Sequence, residues 1–451
     1  MEAYKIVETF RGIVDAYAID IFIENHVEKL PKSWQSMFNS MESEAWIDIL
    51  NVDRLLKTAM PLSFLCLRQL FVHYTQKRAA VSSPAQLGDS LGFQAVETSY
   101  PKVTSRENVR RRVKEKKQHE IDRLIYILKN IPRAGAAFDF AVDVGAGIGH
   151  LSRFVAMEMP EVEVLSIEVN SQFVETASQL DQKMKSTLSG ELPKRIECLL
   201  DENSDGCITK NGKGESGLLL GLHPCGDLSA TILRAFANYD SLNSVLLIGC
   251  CYHKLNAGAD KLFRQEWGLP QEKTMNRPGF PLCRKFADVG LSYAARELAC
   301  HAVEHFAKTM EKETILPKKH FYRALIELAL WEDGQQETNR HLPVKGVKNV
   351  ETLPFEEYAQ AALQGQEEFL NVVMEQTRSN PKVRKYLSES NTYIRQTMFF
   401  YYLRLLFAPI VEHILVTDRL QYLQECGFSA HAIPLFDPVI SPRNFVIFAH
   451  K

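Results

Sequence analysis

The pattern of hydrophobic and polar residues divides the chain into helical and alternating regions. Residues 13–30 and 44–59 carry apolar side chains at steps of three and four, which is typical of amphipathic helices. Residues 79–100 are rich in Ser, Pro, Gly and Gln, a composition typical of a linker. We therefore expect residues 1–100 to form a helical N-terminal region that ends in a linker.

The middle of the chain alternates short apolar runs with helical segments. The runs that predict strands occupy residues 138–145, 161–169, 194–200, 217–223 and 244–250. Such alternation predicts a parallel sheet with helices on both faces. Two more apolar runs, at residues 430–437 and 444–450, predict a terminal antiparallel pair. The expected fold class is α/β, with a Rossmann-like core at residues 101–251 that a last helix and two strands in residues 396–451 complete.

Residues 252–395 interrupt this core with helical patterns and polar loops. They follow the fifth predicted strand, and open α/β sheets bind ligands at the carboxyl ends of their strands. We interpret these residues as a helical insertion. It is either a substrate lid or a purely structural extension, and the sequence leaves both interpretations open.

The charge of the chain is balanced overall. Its 451 residues include 53 Lys and Arg and 55 Asp and Glu, so the formal net charge is −2. Any nucleic-acid binding must therefore come from a local patch. The segment from Arg106 to Lys117, RENVRRRVKEKK, has seven basic residues against two acidic ones. It is either a solvated helix face or a patch that contacts RNA phosphates.

Two features bear on the location of the protein. The nine cysteines are scattered, and the first residues, MEAYKIVETF, do not resemble a secretory leader, so a reduced cytoplasmic or nuclear setting is expected. The longest apolar stretch, residues 397–416, is interrupted by Arg404, Glu412 and His413. We expect a buried or amphipathic helix there and no membrane association.

The sequence VDVGAGIGH at residues 142–150 is the strongest chemical motif. Its glycines allow a close approach to a ligand, and their G-x-G-x-G spacing suits S-adenosylmethionine (SAM) better than a dinucleotide. Glu168 ends the second predicted strand, where an acid can accept hydrogen bonds from both ribose hydroxyls. Asp201 follows the third strand and could reach the adenine amine. The candidate cofactor-binding residues are Asp143, Gly145, Gly147, Gly149, Glu168 and Asp201.

The fourth and fifth predicted strands end in HPCGD (223–227) and CCYHK (250–254). We expect the polar side chains of both ends to converge in one pocket. They could orient a nucleophile or take its proton, they could bind a metal, or Cys225, Cys250 and Cys251 could be small buried residues. The spacings match neither C-x-x-C nor H-x₃₋₅-H, so no metal site is predicted. The candidate catalytic residues are His223, Asp227, Tyr252 and His253.

Several sequence blocks resemble the methyltransferase-like protein 25 family, especially the branch also labelled ribosomal RNA adenine dimethylase domain-containing. The blocks are KKQHEI (116–121), VDVGAGIGHLSRF (142–154), GLHPCGDLS (221–229), GCCYHKL (249–255), ACHAVE (299–304), YRALIE (322–327), FAPIVEHILVTDRLQYLQECGF (407–428) and SPRNFVIFAHK (441–451). The resemblance implies a class I SAM-dependent methyltransferase domain. It implies that Asp143, Glu168 and the glycines of the turn bind the cofactor.

The blocks at 221–229 and 249–255 are also similar to those of the tRNA 2′-O-methyltransferase family, which carries a His-Leu-Cys-Gly block and a Cys-Cys-His-His block. Here the second block reads Cys-Cys-Tyr-His, and Ile148 stands where that family often has Lys. The leading hypothesis is a cytoplasmic or nuclear RNA methyltransferase. The alternatives are a protein or small-molecule methyltransferase, and a catalytically degenerate methyltransferase fold that serves as a binding or scaffold protein.

Overall fold

The computed structural model describes residues 2–41, 47–52, 59–95, 97, 99–100, 113–185, 191–201, 208, 216–258, 278–312, 318–334 and 341–451. The chain divides into two compact units. The helical unit comprises Met1–Thr75, Gly258–Lys273 and Leu291–Glu412, and the sheet unit comprises Gln76–Ala257, Thr274–Gly290 and His413–Lys451. The predicted segments 1–100 and 252–395 both contribute to the helical unit, while the four-segment division itself stays a prediction.

The described part of the sheet unit contains one seven-stranded sheet. Its strands are β1 (Phe140–Val144), β2 (Glu163–Glu168), β3 (Lys194–Glu197), β4 (Gly217–Cys225), β5 (Leu242–Cys250), β6 (Ser429–Pro434) and β7 (Phe445–His450). Their order is β3-β2-β1-β4-β5-β7-β6. The first five strands are parallel, and β7 runs antiparallel to β5 and β6. This arrangement confirms the predicted Rossmann-like α/β fold with its terminal antiparallel pair.

Helices cover both faces of the sheet. They include α1 (Pro84–Leu91), α2 (Glu115–Asn130), α3 (His150–Glu158), α4 (Ser171–Met184) and α5 (Leu228–Asn238). Successive side chains of a strand point to opposite faces. Because β4 begins with consecutive apolar residues, GLLLGL, both of its faces are apolar. Leu218 packs in one core with Leu124 of α2, and Leu219 packs in the other with Phe236 of α5. Because the helices cover the two faces of the sheet, a site can form in the loops that follow the carboxyl ends of the parallel strands.

The helix α1 corrects the predicted linker. The Ser83 hydroxyl accepts a hydrogen bond from the backbone N–H of Gln86, Pro84 occupies the first turn, and Gly92 ends the helix with a φ of 77°. Ser, Pro and Gly resemble a loop composition, but at these three positions they are helix-capping residues. Leu87 is fully buried in the core of the sheet unit, so this segment belongs to the packed structure.

The helical unit is built from short helices. They span Glu2–Thr9, Arg11–Val14, Lys32–Ser40, Ile47–Leu50, Leu62–Tyr74, Tyr293–Leu298, Val303–Lys312, Lys319–Glu332, Phe355–Ala362, Glu367–Ser379, Pro381–Ser388 and Ser390–Leu405. The prediction of a continuous helix at residues 13–30 is wrong, because a 3-10 turn and further turns follow Val14. Asn25 adopts a φ of 51°, which a right-handed helix does not allow. Phe22 is nevertheless buried against Phe321, so the apolar spacing reflects core packing.

The long apolar stretch near the C-terminus forms two consecutive helices, Ser390–Leu405 and Ala408–Glu425. Together they are long and apolar enough to cross a membrane by length and composition alone, but 83% of their most apolar window is buried inside the protein. This burial agrees with the predicted buried helix. The absence of membrane association stays a prediction.

Candidate active site

The glycine turn between β1 and α3 adopts a backbone that favours glycine at three positions. Gly145, Gly147 and Gly149 have φ angles of 68°, 55° and 73°. Residues with a Cβ atom are strained in this left-handed region. The backbone N–H of Gly145 donates to the carbonyl of Ile167 at 2.9 Å, which ties the turn to the end of β2.

The three glycines differ in what surrounds them. A Cβ atom at Gly149 would lie 2.2 Å from the guanidinium of Arg195, and one at Gly145 would lie 3.2 Å from Leu228. A Cβ atom at Gly147 would meet no atom of the described residues within 4 Å. Gly149 is therefore required by the packing beneath the turn, whereas Gly147 faces open space that a ligand could fill.

Glu168 lies directly beside the glycine turn. Its Oε2 atom accepts a hydrogen bond from the backbone N–H of Gly147 at 2.9 Å, and its Oε1 atom accepts one from the N–H of Asn170 at 3.0 Å. A carboxylate offers about four lone-pair sites. Each oxygen of Glu168 therefore keeps a free lone pair next to the open side of Gly147, which fits the predicted contact with two ribose hydroxyls.

Asp143 lies beneath the turn. It is 2% exposed, and its Oδ2 atom accepts a hydrogen bond from the backbone N–H of Ser152 at 3.1 Å. Burial raises the pKa of Asp143 to about 6, against the opposing effects of Arg195 and Ser152. Asp143 is thus placed to hold the first turn of α3 in position under the glycines.

Sequence reasoning missed a buried ionic network next to Asp143. Arg195 of β3 donates to both carboxylate oxygens of Asp181, at 2.8 and 3.0 Å, and to the hydroxyls of Ser152 and Ser166, at 2.6 and 2.8 Å. Arg153 donates to the same Asp181 at 2.6 Å. These partners fix the guanidinium of Arg195 against Gly149. Residues separated by 14 to 43 positions form this network, so no local motif could have indicated it.

Asp201, the predicted adenine-binding residue, lies after the end of β3. Asp201 is exposed, and its backbone carbonyl accepts a hydrogen bond from the hydroxyl of Tyr239. The predicted role of its side chain at the adenine stays a prediction.

The end of β4 carries a buried acid–histidine pair. His223 Nε2 lies 2.8 Å from Oε1 of Glu120, which is fully buried on α2. Ser441 also donates to this oxygen, and Lys117 lies 3.1 Å from the other. Burial alone would raise the pKa of Glu120, but the hydrogen bond and charge of His223, together with Lys117, lower it to about 2. The carboxylate is therefore ionised and orients the His223 ring.

Glu120 was not among the predicted site residues. It lies four residues before Leu124, on the apolar face of α2. An acid on a buried helical face needs a partner, so its place in the helical pattern was the available signal.

Three cysteines meet beside His223. The sulfur of Cys225 lies 3.5 Å from that of Cys250 and 3.4 Å from that of Cys251, and the last two are 3.6 Å apart. Hydrogen bonds from the neighbouring sulfurs, then burial, raise the pKa of Cys250. Hydrogen bonds from Cys225 and Cys250 lower the pKa of Cys251, assisted by the charges of His253 and Lys254. The ends of β4 and β5 therefore converge as predicted, and the side chains that meet there are those of these three cysteines.

The remaining predicted catalytic residues lie in the loop after β5 or contact it. Both carboxylate oxygens of Asp227 accept backbone hydrogen bonds, from Asn256 at 2.7 Å and Ala257 at 2.6 Å. This bonding makes Asp227 a clamp for the loop. Tyr252 is buried beneath the guanidinium of Arg443, 5.9 Å from its ring centre, and His253 is half-buried. Their catalytic roles stay predictions.

Comparisons with known proteins agree with this geometry. Residues 116–258 match the model of a family described as a methyltransferase domain. The chain is 28% identical over 244 residues to the probable methyltransferase-like protein 25 of Homo sapiens, an alignment that covers 52% of this chain and 37% of the human protein. For the Mus musculus protein of the same description the values are 27% over 246 residues, 52% and 38%.

The resemblance to the methyltransferase-like protein 25 family is confirmed. Residues 116–258 match a methyltransferase domain family, and their strands have the order of a Rossmann-like sheet. A methyltransferase domain implies SAM as its cofactor. The alignments span well under half the length of these curated relatives. The similarity therefore concerns the matched part of the chain and does not extend to the activity of the whole protein.

Solved structures of methyltransferases are similar only distantly. Magnesium protoporphyrin IX methyltransferase from Synechocystis PCC 6803 with bound SAM is 19% identical, with a TM-score of 0.23, over 32% of this chain and 62% of that chain. Coclaurine N-methyltransferase bound to N-methylheliamine and SAH is 10% identical, with a TM-score of 0.25, over 96% and 97%. Because these TM-scores are low, the fold assignment rests on the strand order and register.

Proposed function

We propose that this protein is a SAM-dependent methyltransferase that acts on RNA. The observation that carries the proposal is the juxtaposition of two surfaces at one sheet edge of the sheet unit. A glycine turn backed by the Glu168 carboxylate adjoins strand ends near which four basic side chains lie.

The glycine turn supports SAM as the methyl donor. The open side of Gly147 leaves room for a ligand to contact the backbone, and the free lone pairs of Glu168 can accept two hydroxyl hydrogens. When bound, SAM supplies a methyl group on a positively charged sulfonium. The chain's contribution is then to hold cofactor and substrate in line, and positioning of this kind can supply much of the rate enhancement.

The positive side chains support a polyanionic substrate. Lys116 and Lys117 of α2 lie 3.7 and 3.1 Å from Glu120, the partner of His223. Lys254 packs against Gly226 at the end of β4, where a Cβ atom on the glycine would lie 2.7 Å from the Lys254 Cβ. Arg443 lies over Tyr252. Phosphate contacts by Lys and Arg position a protein on nucleic acid, so these charges suit RNA at the strand ends.

The predicted basic segment adjoins this group. Its residues 106–112 lie outside the described part of the chain, residues 113 and 114 precede α2, and residues 115–117 begin it. The likeness of the HPCGD and CCYHK blocks to a tRNA 2′-O-methyltransferase family supports the same substrate class. A cytoplasmic or nuclear location, where RNA is present, is part of the proposal.

The test is transfer of a radiolabelled methyl group from SAM to separated RNA and protein fractions, together with calorimetric binding of SAM. Labelled RNA, with SAM binding lost in Glu168→Ala, is the expected result. Label found only in protein would refute RNA as the substrate. Failure of the folded wild type to bind SAM would refute the enzymatic function and favour the scaffold alternative.

The role of the positive charges is tested by a matched pair of lysines on α2. Lys116 and Lys129 are similarly exposed, at 50% and 44% of the side chain, but Lys129 pairs with Glu158 at the far end of the helix. Lys116→Ala is expected to weaken RNA binding and to lower the salt dependence by about 0.7 to 0.9 in the logarithmic slope. Lys129→Ala is expected to leave both as in the wild type. Equal effects of the two substitutions would contradict this placement of RNA.

A further inference from the structure

The three sulfurs of Cys225, Cys250 and Cys251 form a compact cluster at the carboxyl ends of β4 and β5. Their ligand atoms all lie within 4.8 Å of one another. We propose that this thiol cluster binds one zinc ion through three thiolates, with a fourth coordination position left to a non-protein ligand. This assignment departs from the expectation drawn from the sequence spacing, and it goes beyond the proposed methyl transfer.

The distances within the cluster match those of zinc thiolate sites. With Zn–S bonds of about 2.3 Å and tetrahedral angles, the sulfur atoms lie about 3.8 Å apart. The observed separations of 3.4, 3.5 and 3.6 Å are shorter by only a few tenths of an ångström. Sulfur atoms in a disulfide lie about 2.0 Å apart, so all three thiols are unlinked and each can act as a ligand.

The backbone is bent in a way that aims the sulfurs at one point. The pairing of β4 with β5 shifts register between Leu222 and Cys225, which places Cys225 directly opposite Cys250. Register irregularities of this kind re-aim side chains near functional sites. Without the shift, Cys225 would lie opposite Cys251 instead of Cys250.

Two residues around the cluster adopt strained backbone conformations. His223 and Cys251 have φ angles of 66° and 48°. Such left-handed conformations cost about 1–3 kcal/mol each for residues other than glycine, and they concentrate at ligand sites. The bend at Cys251 turns its sulfur back toward Cys225, and the bend at His223 turns its carbonyl toward the Cys250 sulfur, 3.1 Å away.

The surroundings allow a metal ion to enter. Cys225 is exposed, Cys251 is half-buried and Cys250 is buried, so the cluster opens to solvent on one side. Thiolates are soft ligands that select zinc over magnesium and calcium. Three protein ligands and one open position describe the coordination of zinc sites that bind a further ligand.

The experiment measures metal content in the full chain without cofactor or substrate. Protein purified under reducing conditions is loaded with Zn²⁺, freed of excess metal by gel filtration, and analysed by elemental mass spectrometry. One equivalent of zinc in the wild type is expected. Replacement by Co²⁺ should produce the thiolate-to-cobalt charge-transfer absorption that oxygen or nitrogen ligands alone do not give.

Cys225→Ser and Cys251→Ser are expected to lose the bound zinc and this absorption, and circular dichroism checks that both variants fold. Cys426→Ser, an exposed cysteine of the same unit outside the cluster, is the matched control and should retain both signals. A wild type that binds neither metal overturns the proposal, and so does a folded Cys225→Ser that keeps its zinc. Because no methyl transfer is measured, failure of the proposed function would leave this result intact.

Discussion

The substitutions Gly147→Ala and Gly149→Ala test the division of roles within the glycine turn. Both positions have left-handed backbones, with φ angles of 55° and 73°, so a new Cβ atom at either one costs about 1–2 kcal/mol. The difference between them lies in the surroundings. Among the described residues, the Cβ atom at Gly149 would collide with Arg195, whose Nη1 lies 2.2 Å from it, and the Cβ atom at Gly147 would collide with none.

Arg195 cannot give way without losing hydrogen bonds. Restoring ordinary contact at 3.4 Å requires the guanidinium to move by about 1.2 Å. Its Nη1 bonds to Ser152 and Ser166 are 2.6 and 2.8 Å long, and such a movement breaks them. Each hydrogen bond from a charged group contributes about 1.5–3 kcal/mol. Gly149→Ala is therefore expected to lower the free energy of unfolding by at least about 3 kcal/mol more than Gly147→Ala.

Urea denaturation followed by circular dichroism measures this difference, and calorimetry measures SAM binding by the same proteins. Gly147→Ala should fold but bind SAM at least about tenfold more weakly, a difference of about 1.4 kcal/mol, because its methyl group occupies the open side of the turn. Equal stabilities of the two variants would refute the rigid Arg195 network. Wild-type affinity in Gly147→Ala would show that SAM does not lie against this glycine.

Three further predictions concern groups outside the glycine turn. Burial, followed by the charge of Lys29, lowers the pKa of His26 from 6.5 to about 4. The folded state therefore favours the neutral ring, and this stabilisation is complete above pH 6.5 and is lost as the pH falls toward 4. The free energy of unfolding should drop by about 3 kcal/mol over that range in the wild type and not in His26→Gln. Denaturation curves that respond equally to pH would contradict this. Asp227→Ala removes the acceptor of two backbone hydrogen bonds and is expected to cost about 2–4 kcal/mol of unfolding free energy, and an unchanged midpoint in urea would argue against its role as a clamp. Asp181→Asn leaves Arg153 and Arg195 buried without their carboxylate and should cost about 3–5 kcal/mol in the same assay, whereas a loss below about 1 kcal/mol would mean that water screens the network.

The sequence predicted the sheet because its strands are buried on both faces. Continuous apolar runs such as LLLGL before His223 have no polar period, and the glycine turn after Val144 marks where the first of them ends. The rule that strands of an open sheet meet at their carboxyl ends then brought Glu168 to the glycine turn and His223 to Cys251 without any knowledge of coordinates. The linker prediction failed because Ser, Pro and Gly are common both in loops and at helix ends. Composition alone could not show that Ser83, Pro84 and Gly92 cap a helix.

Contacts between distant segments could not be predicted in this way. Glu120 and His223 are 103 residues apart, and their pairing depends on how α2 packs across β4. The sulfur cluster depends on the pairing of β4 with β5, whereas motif rules for metal sites use spacing along one segment. A spacing rule therefore excluded a metal site where three sulfur atoms meet in space.

The charges around the site are divided in a way that suits the proposed reaction. SAM carries a positive sulfonium, and the acid that faces its expected place is Glu168, beside Gly147. RNA carries negative phosphates, and the side chains near the neighbouring strand ends are Lys117 and Lys254. Glu120, the acid that contacts His223, lies 3.7 and 3.1 Å from Lys116 and Lys117, so the two lysines together exceed its charge. Donor and substrate would therefore each meet groups of opposite charge at one sheet edge, so removing a lysine should weaken RNA binding while SAM binding, which depends on Glu168, persists.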